Sequence, residues 1–223
     1  ENYLKALEIK LHVLCMKYLY MLEEKTMDDK TKLSMKTVSE AIDMVCNKIF
    51  KKDNRSKYAL LGKAALPFLT SLSHGITEQL LSYRNATKIV KKLIVEYPES
   101  ILTNWVMAML YEMKIDYLPF SSEEDKLKGL IYTNKIIEQS KRYINSTNID
   151  YIDLVTIMAA YIHKTDLQKE LNSNITLEQE EMMFEDLYLL SKNNYFLLGQ
   201  RDANQKLFWI ASKRKDFQRA IEL

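Results

Sequence analysis

The side chains best equipped for chemistry in this chain are three histidines, His12, His74 and His163. His12 shares a helical face with Glu8 and Cys15, four and three residues away. A metal there needs further donors, and Glu40 and Asp43 on the next helix are the candidates. A half-buried imidazole bonded to a carboxylate accounts for the same residues with fewer demands. His163, near Tyr161 and Asp166, offers an acid–base pair, but its place near a helix end is equally that of a capping residue. His74 before Gly75 reads as a helix terminus. No His-Glu-x-x-His, Glu-x-x-His or Cys-x-x-Cys spacing occurs. Gly62, Gly75, Gly129 and Gly199 are all isolated, so no phosphate loop or nucleophile elbow can form. The acids of 178–181, with Glu185 and Asp186, read as the first turns and solvated face of a helix. The expectation is no catalytic residue, no metal and no cofactor. An enzyme, with His12 or His163 as base, ranks last.

Recognition chemistry is better represented. Tyrosine is plentiful, at 14 residues. Tyr111, Tyr117, Tyr132, Tyr143, Tyr151 and Tyr161 fall in the middle of the chain. Tyrosine joins apolar area to a hydroxyl, which suits binding surfaces. Asn104 and Lys135 are polar members of otherwise apolar helices, the pattern a ligand-facing position leaves. Asn104, Tyr111, Tyr132 and Lys135 are therefore predicted to contact a protein or peptide partner.

The elements that must position these residues are helices. With 4 Gly and 3 Pro in 223 residues, turn formers are scarce, while apolar residues make up 47%. The net charge of +2 gives no footprint for nucleic acid. The clusters Lys51-Lys52 with Arg55 and Lys57, and Lys88 with Lys91-Lys92, read as solvated surface. Cys15 and Cys46 read as buried thiols, with a disulfide open if the compartment oxidises. Four Asn-x-Ser/Thr triplets, at Asn54, Asn85, Asn145 and Asn174, matter only in a secreted eukaryotic protein. No apolar run is long enough to span a bilayer. A chain beginning at Glu1 leaves a removed leader or a lipid anchor open, and the compartment with it, cytoplasmic or periplasmic.

The periodicity predicts an all-α chain of nine to ten helices in antiparallel hairpins, one domain over 1–223 with a polar seam at 163–175. Helices are expected near 2–25, 31–51 and 55–74, with Asp28 or Asp29 capping the second and Pro67 kinking or breaking the third. A fourth runs over 77–96 from a Thr77 cap, and Tyr97-Pro98-Glu99-Ser100 joins it to a fifth over 99–116. The fifth is the most apolar and should be the most buried. After a connector at 116–120 holding Pro119, a Ser121–Glu124 capping box opens the sixth, which runs to 144. A seventh covers 148–163, and 164–173 reads as polar and partly loop. Thr176 with Gln179 opens an eighth to 191. Asn193-Asn194 and Gly199 mark turns around a short apolar segment, before two closing helices at 201–213 and 215–223.

Two places resemble the tetratricopeptide repeat. Pro98 sits where that repeat closes its second helix, with the small residue Ala86 upstream and Met107-Ala108 and Tyr111 downstream. At 215–223, Ala220 stands as the small contact residue with Leu207 in the preceding helix, although Phe208 occupies a position where a small residue is expected. Gly129 fits the small-residue role only after an insertion. The resemblance implies a right-handed array of helix pairs with a concave groove, hence a non-catalytic scaffold. Leu66-Pro67-Phe68-Leu69, the Tyr97-Pro98-Glu99 joint and the long sixth helix are also similar in order to the helical-repeat lipoprotein of TRAP-type solute transporters. That resemblance implies instead a small-molecule-binding accessory protein.

Overall fold

A computed structural model describes residues 2–23, 28–71, 76–117, 122–147, 149–171 and 175–222. Among these the chain is entirely helical, with ten α-helices: α1 (Asn2–Glu23), α2 (Asp29–Phe50), α3 (Lys57–Ser71), α4 (Ile76–Glu96), α5 (Ile101–Tyr117), α6 (Glu123–Ser140), α7 (Tyr151–Glu170), α8 (Leu177–Asn193), α9 (Leu197–Lys213) and α10 (Phe217–Glu222). A 3-10 turn, Lys141–Tyr143, follows α6. The expectations placed on His74-Gly75, Pro119, Ser121 and Asn174 lie outside the described residues.

The described residues form two compact units. The first holds α1 to α4 with residues 101–106 and 113–117 of α5; the second holds residues 107–112 of α5 and everything from Ser122 onward. The polar stretch 163–175 lies within the second unit.

In the first unit α1, α2 and α3 pack on one another, and α3 packs on α4. Leu7 and Leu11 of α1 meet Val38, Ile42, Val45 and Ile49 of α2 and Ala59 of α3 in one buried cluster. The spacing of these residues at three and four puts them on the inner stripe of each helix. Gly62 is what lets α3 approach. A Cβ there would lie 2.6 Å from the Cys46 Sγ and 3.2 Å from Leu11. Asp28 caps α2 by accepting the Thr31 N–H at 2.7 Å. Helix α3 passes through position 67 to Ser71, so of the kink or break expected at Pro67 the break does not occur.

The joint before α5 also starts later than expected. Pro98 and Glu99 stay in the turn, and the Ser100 hydroxyl accepts the Thr103 N–H at 3.4 Å, so the helix opens at Ile101. Serine outcompetes the proline signal because its oxygen satisfies an amide that the first turn leaves unbonded. The Tyr97 hydroxyl donates to the Arg55 carbonyl at 2.7 Å and ties this joint to the α2–α3 turn. Helix α4, by contrast, starts earlier than expected, at Ile76, which places Thr77 inside its first turn and not at its cap.

In the second unit consecutive helices α6 to α10 pack in order. The capping box of α6 is Ser122 with Asp125: the carboxylate accepts both the Ser122 backbone N–H, at 3.0 Å, and its hydroxyl, at 2.9 Å. Thr176 and Gln179 cap α8 reciprocally, as their spacing predicts. Helix α7 continues to Glu170 through the stretch expected to loop, because Thr165 and Leu167 keep its inner stripe buried. Gly199 is not a turn but a buried residue of α9. A Cβ there would lie 2.3 Å from the Ser191 Oγ and 2.6 Å from the Phe196 ring.

Helices α8 and α9 stop in the same way. At the end of α8 the Phe196 N–H reaches back to the Ser191 carbonyl at 2.8 Å and the Tyr195 N–H to Lys192 at 3.2 Å. At the end of α9 the Asp216 N–H reaches Ala211 at 2.9 Å and the Lys215 N–H reaches Ser212 at 3.1 Å. Both are Schellman stops, and each requires a left-handed residue: Tyr195 has φ 54 and Lys215 has φ 60.

Candidate functional site

The predicted partner-binding residues divide. Tyr111, from the middle stretch of α5 that belongs to the second unit, and Tyr132 of α6 stack with ring centroids 6.0 Å apart and planes 17° from parallel. The Lys135 ammonium lies 4.9 Å from the centre of the Tyr132 ring. Lys128, bonded to Glu124 at 2.6 Å, is also close enough to Tyr111 for the phenol to favour its charge. Both rings are half-buried and Lys135 is exposed. Asn104 belongs to the first unit and is only 3% exposed, which removes it from any solvent-facing surface of that unit.

Gly129 explains how the tyrosines meet. It is buried in α6, with its Cβ position 3.5 Å from the Tyr111 Cβ and 3.8 Å from the Ala108 carbonyl. A larger side chain there would push α6 off this stretch of α5. Burial, and then the neighbouring Tyr111 phenol, raises the pKa of Tyr132. Both effects keep its hydroxyl protonated, available as donor and acceptor at neutral pH.

Other tyrosines in the middle of the chain serve packing. Tyr161 is fully buried, its hydroxyl 3.3 Å from the Ser140 Oγ, and desolvation pushes the phenol up to about 12. Tyr151 meets Phe196 edge to face with centroids 5.7 Å apart.

The histidine readings change in detail. His163 is buried in α7, with its Nδ1 3.3 Å from Glu112 Oε1. Its expected partner Asp166 is exposed and lies instead 3.9 Å from Lys169. The metal set proposed around His12 is drawn into other bonds: Glu8 accepts from the Ser56 hydroxyl at 3.4 Å, and Asp43 pairs with Lys63 and accepts from Asn47. Among the described residues no group of three or more His, Cys, Asp or Glu side chains is placed to hold a metal ion. Cys15 and Cys46 are both free thiols.

The acidic face of α8 is not simply solvated. Glu180 and Glu181 are buried. Glu181 pairs with Arg214 and, at 3.1 Å, with Arg219, while Glu185 pairs with Arg219. These ion pairs fasten the end of α9 and the start of α10 to α8. No helix among the described residues is long and apolar enough to cross a membrane.

No protein-family model matches the chain, and no curated protein or solved structure is significantly similar to it.

Proposed function

We propose that this chain is a non-catalytic helical scaffold that holds a protein or peptide partner against the Tyr111–Tyr132–Lys135 surface of its second unit. The observation that carries the reading is the stacked, half-buried tyrosine pair with an exposed lysine over it. Aromatic rings fixed by stacking lose little freedom on binding and offer both apolar area and hydroxyls. A tetratricopeptide-like right-handed array is part of the same proposal. It is supported by the consecutive packing of α1 to α4 and of α6 to α10, and by the small residue Gly129 against Ala108 and Tyr111.

The test is site-specific photocrosslinking in cells that make the chain, with the reactive amino acid at Tyr132 and a control at exposed Glu178. One discrete protein should be captured from position 132 and not from 178. Tyr111→Ala should weaken that partner's binding about tenfold or more, the scale of an aromatic anchor at an interface. Identical products from both positions, or none, would sink the reading.

A further inference from the structure

A second surface, independent of the tyrosine pair, lies on α9. Phe208 is 51% exposed and Trp209 is 43% exposed, so two consecutive residues of α9 both present large aromatic side chains to solvent. Lysines flank the indole from two elements. The Lys213 ammonium is 5.4 Å from its centre and the Lys169 ammonium, from the end of α7, is 6.0 Å away. Phe208 departs from the small residue expected of a repeat and stands half exposed. Leu207 and Ile210, by contrast, are both buried.

The charges around this ridge are sorted by residue type. Arg214 and Arg219 turn toward α8 and take up the carboxylates of Glu181 and Glu185. Lys213 and Lys215, on either side of Arg214, are exposed and have no carboxylate partner among the described residues. Lys169 has a loose one, Asp166 at 3.9 Å. The arginines therefore take up Glu181 and Glu185, while the Lys213 ammonium beside the indole has no carboxylate partner among the described residues. Such a face is complementary to carboxylates set next to an apolar side chain. A net charge of only +2 supplies no broad positive field of the kind that draws a chain to nucleic acid or to an anionic bilayer. A short acidic segment needs only this local match.

We infer that the Phe208–Trp209 ridge of α9 docks an acidic protein segment, its carboxylates on Lys169, Lys213 and Lys215 and an apolar side chain against the two rings.

The chain's two tryptophans allow a direct reading. In the full chain carrying Trp105→Phe, emission comes from Trp209 alone. The probe is a short synthetic peptide of Asp, Glu, Leu and Phe, with a Lys-for-acid version as control. Titration calorimetry on the unmodified chain repeats the measurement without the Trp105 change. A saturable shift in Trp209 emission with the acidic peptide alone is expected. It should weaken about tenfold in high salt and in the Lys213→Glu/Lys215→Glu variant, whose helicity is checked by circular dichroism. Lys135→Glu, at the other surface, should leave it unchanged. Three outcomes overturn the inference. They are no saturable response to the acidic peptide, equal binding by the charge-reversed variant, and a stronger response to phosphatidylserine vesicles or to oligothymidylate than to the peptide.

Discussion

The carboxyl of Asp186 lies partly out of water on α8, and desolvation raises its pKa by more than Lys141 lowers it, with Glu185 and Glu138 adding to the rise. A carboxyl whose folded pKa exceeds its unfolded value binds its proton better in the native state. Stability is then lost as pH rises through the unfolded and folded values, and the deficit is complete at neutral pH. Asp186→Asn should raise the urea midpoint at neutral pH, and the gain over the unmodified chain should vanish near about pH 3, where the aspartate is protonated in both states. An unchanged or lower midpoint at neutral pH would overturn this. Single residues were also where sequence reasoning had least purchase. A polar residue in an apolar helix reads alike whether it faces a ligand or is packed away, and Asn104 is packed away. Lys169 and Trp209 stand far apart in the chain, and so do Glu181 and its arginines, so nothing local announced either pairing.

Whole helices were more legible. Thr176 with Gln179 caps where its spacing says it should, and of the two candidates Asp28 and Asp29 it is Asp28 that caps α2, because those bonds are local. Starts shifted where neighbouring residues offered rival caps, as at Ser100 and in the Ser121–Asp125 run. Helix α7 outran its predicted end because apolar burial at Leu167 outweighed the polar composition around it. Gly199 read as a turn because a glycine that breaks a helix and one that admits a neighbouring helix look the same in sequence. The stop of α8 makes its own prediction. Tyr195 holds a left-handed backbone, with φ 54, at a position glycine usually fills, and its ring is 88% exposed. The Asn193 and Asn194 amides, donating to the Ile144 and Ser146 carbonyls at 2.6 and 2.9 Å, hold that turn in place. Tyr195→Gly should relieve the strain and stabilise the chain by about 0.5–1 kcal/mol after glycine's extra unfolded-state entropy is subtracted. A fall in the urea midpoint would refute it.

At the scale of the molecule, the all-α class follows from composition and periodicity, whereas the two units had no composition shift to betray them. Their residues are interleaved along α5, so the division falls inside an element and leaves no linker. The first unit carries both cysteines, and the two tryptophans fall one in each unit. Burial pushes the Cys15 thiol up to about 12, with Cys46 adding to the rise, and the Cys46 thiol to about 11. Thiolate is therefore scarce in the native state. Both cysteines should resist alkylation at neutral pH. They should become reactive over the urea range in which Trp105 emission changes in a Trp209→Phe variant, since all three report on the first unit. Rapid stoichiometric labelling without denaturant would contradict that packing.

The matched stops of α8 and α9 carry a consequence for construction. Ser191 to Phe196 and Ala211 to Asp216 are the same backbone device, twenty residues apart (191 to 211), each preceded by a buried pair, Leu187 with Leu190 and Leu207 with Ile210. A helix that ends this way hands the next one off at a reproducible angle. The stretch between the two stops is thus a cassette with compatible ends: its length and direction are set internally, while its outward face, where Phe208 and Trp209 stand, is free to be rewritten.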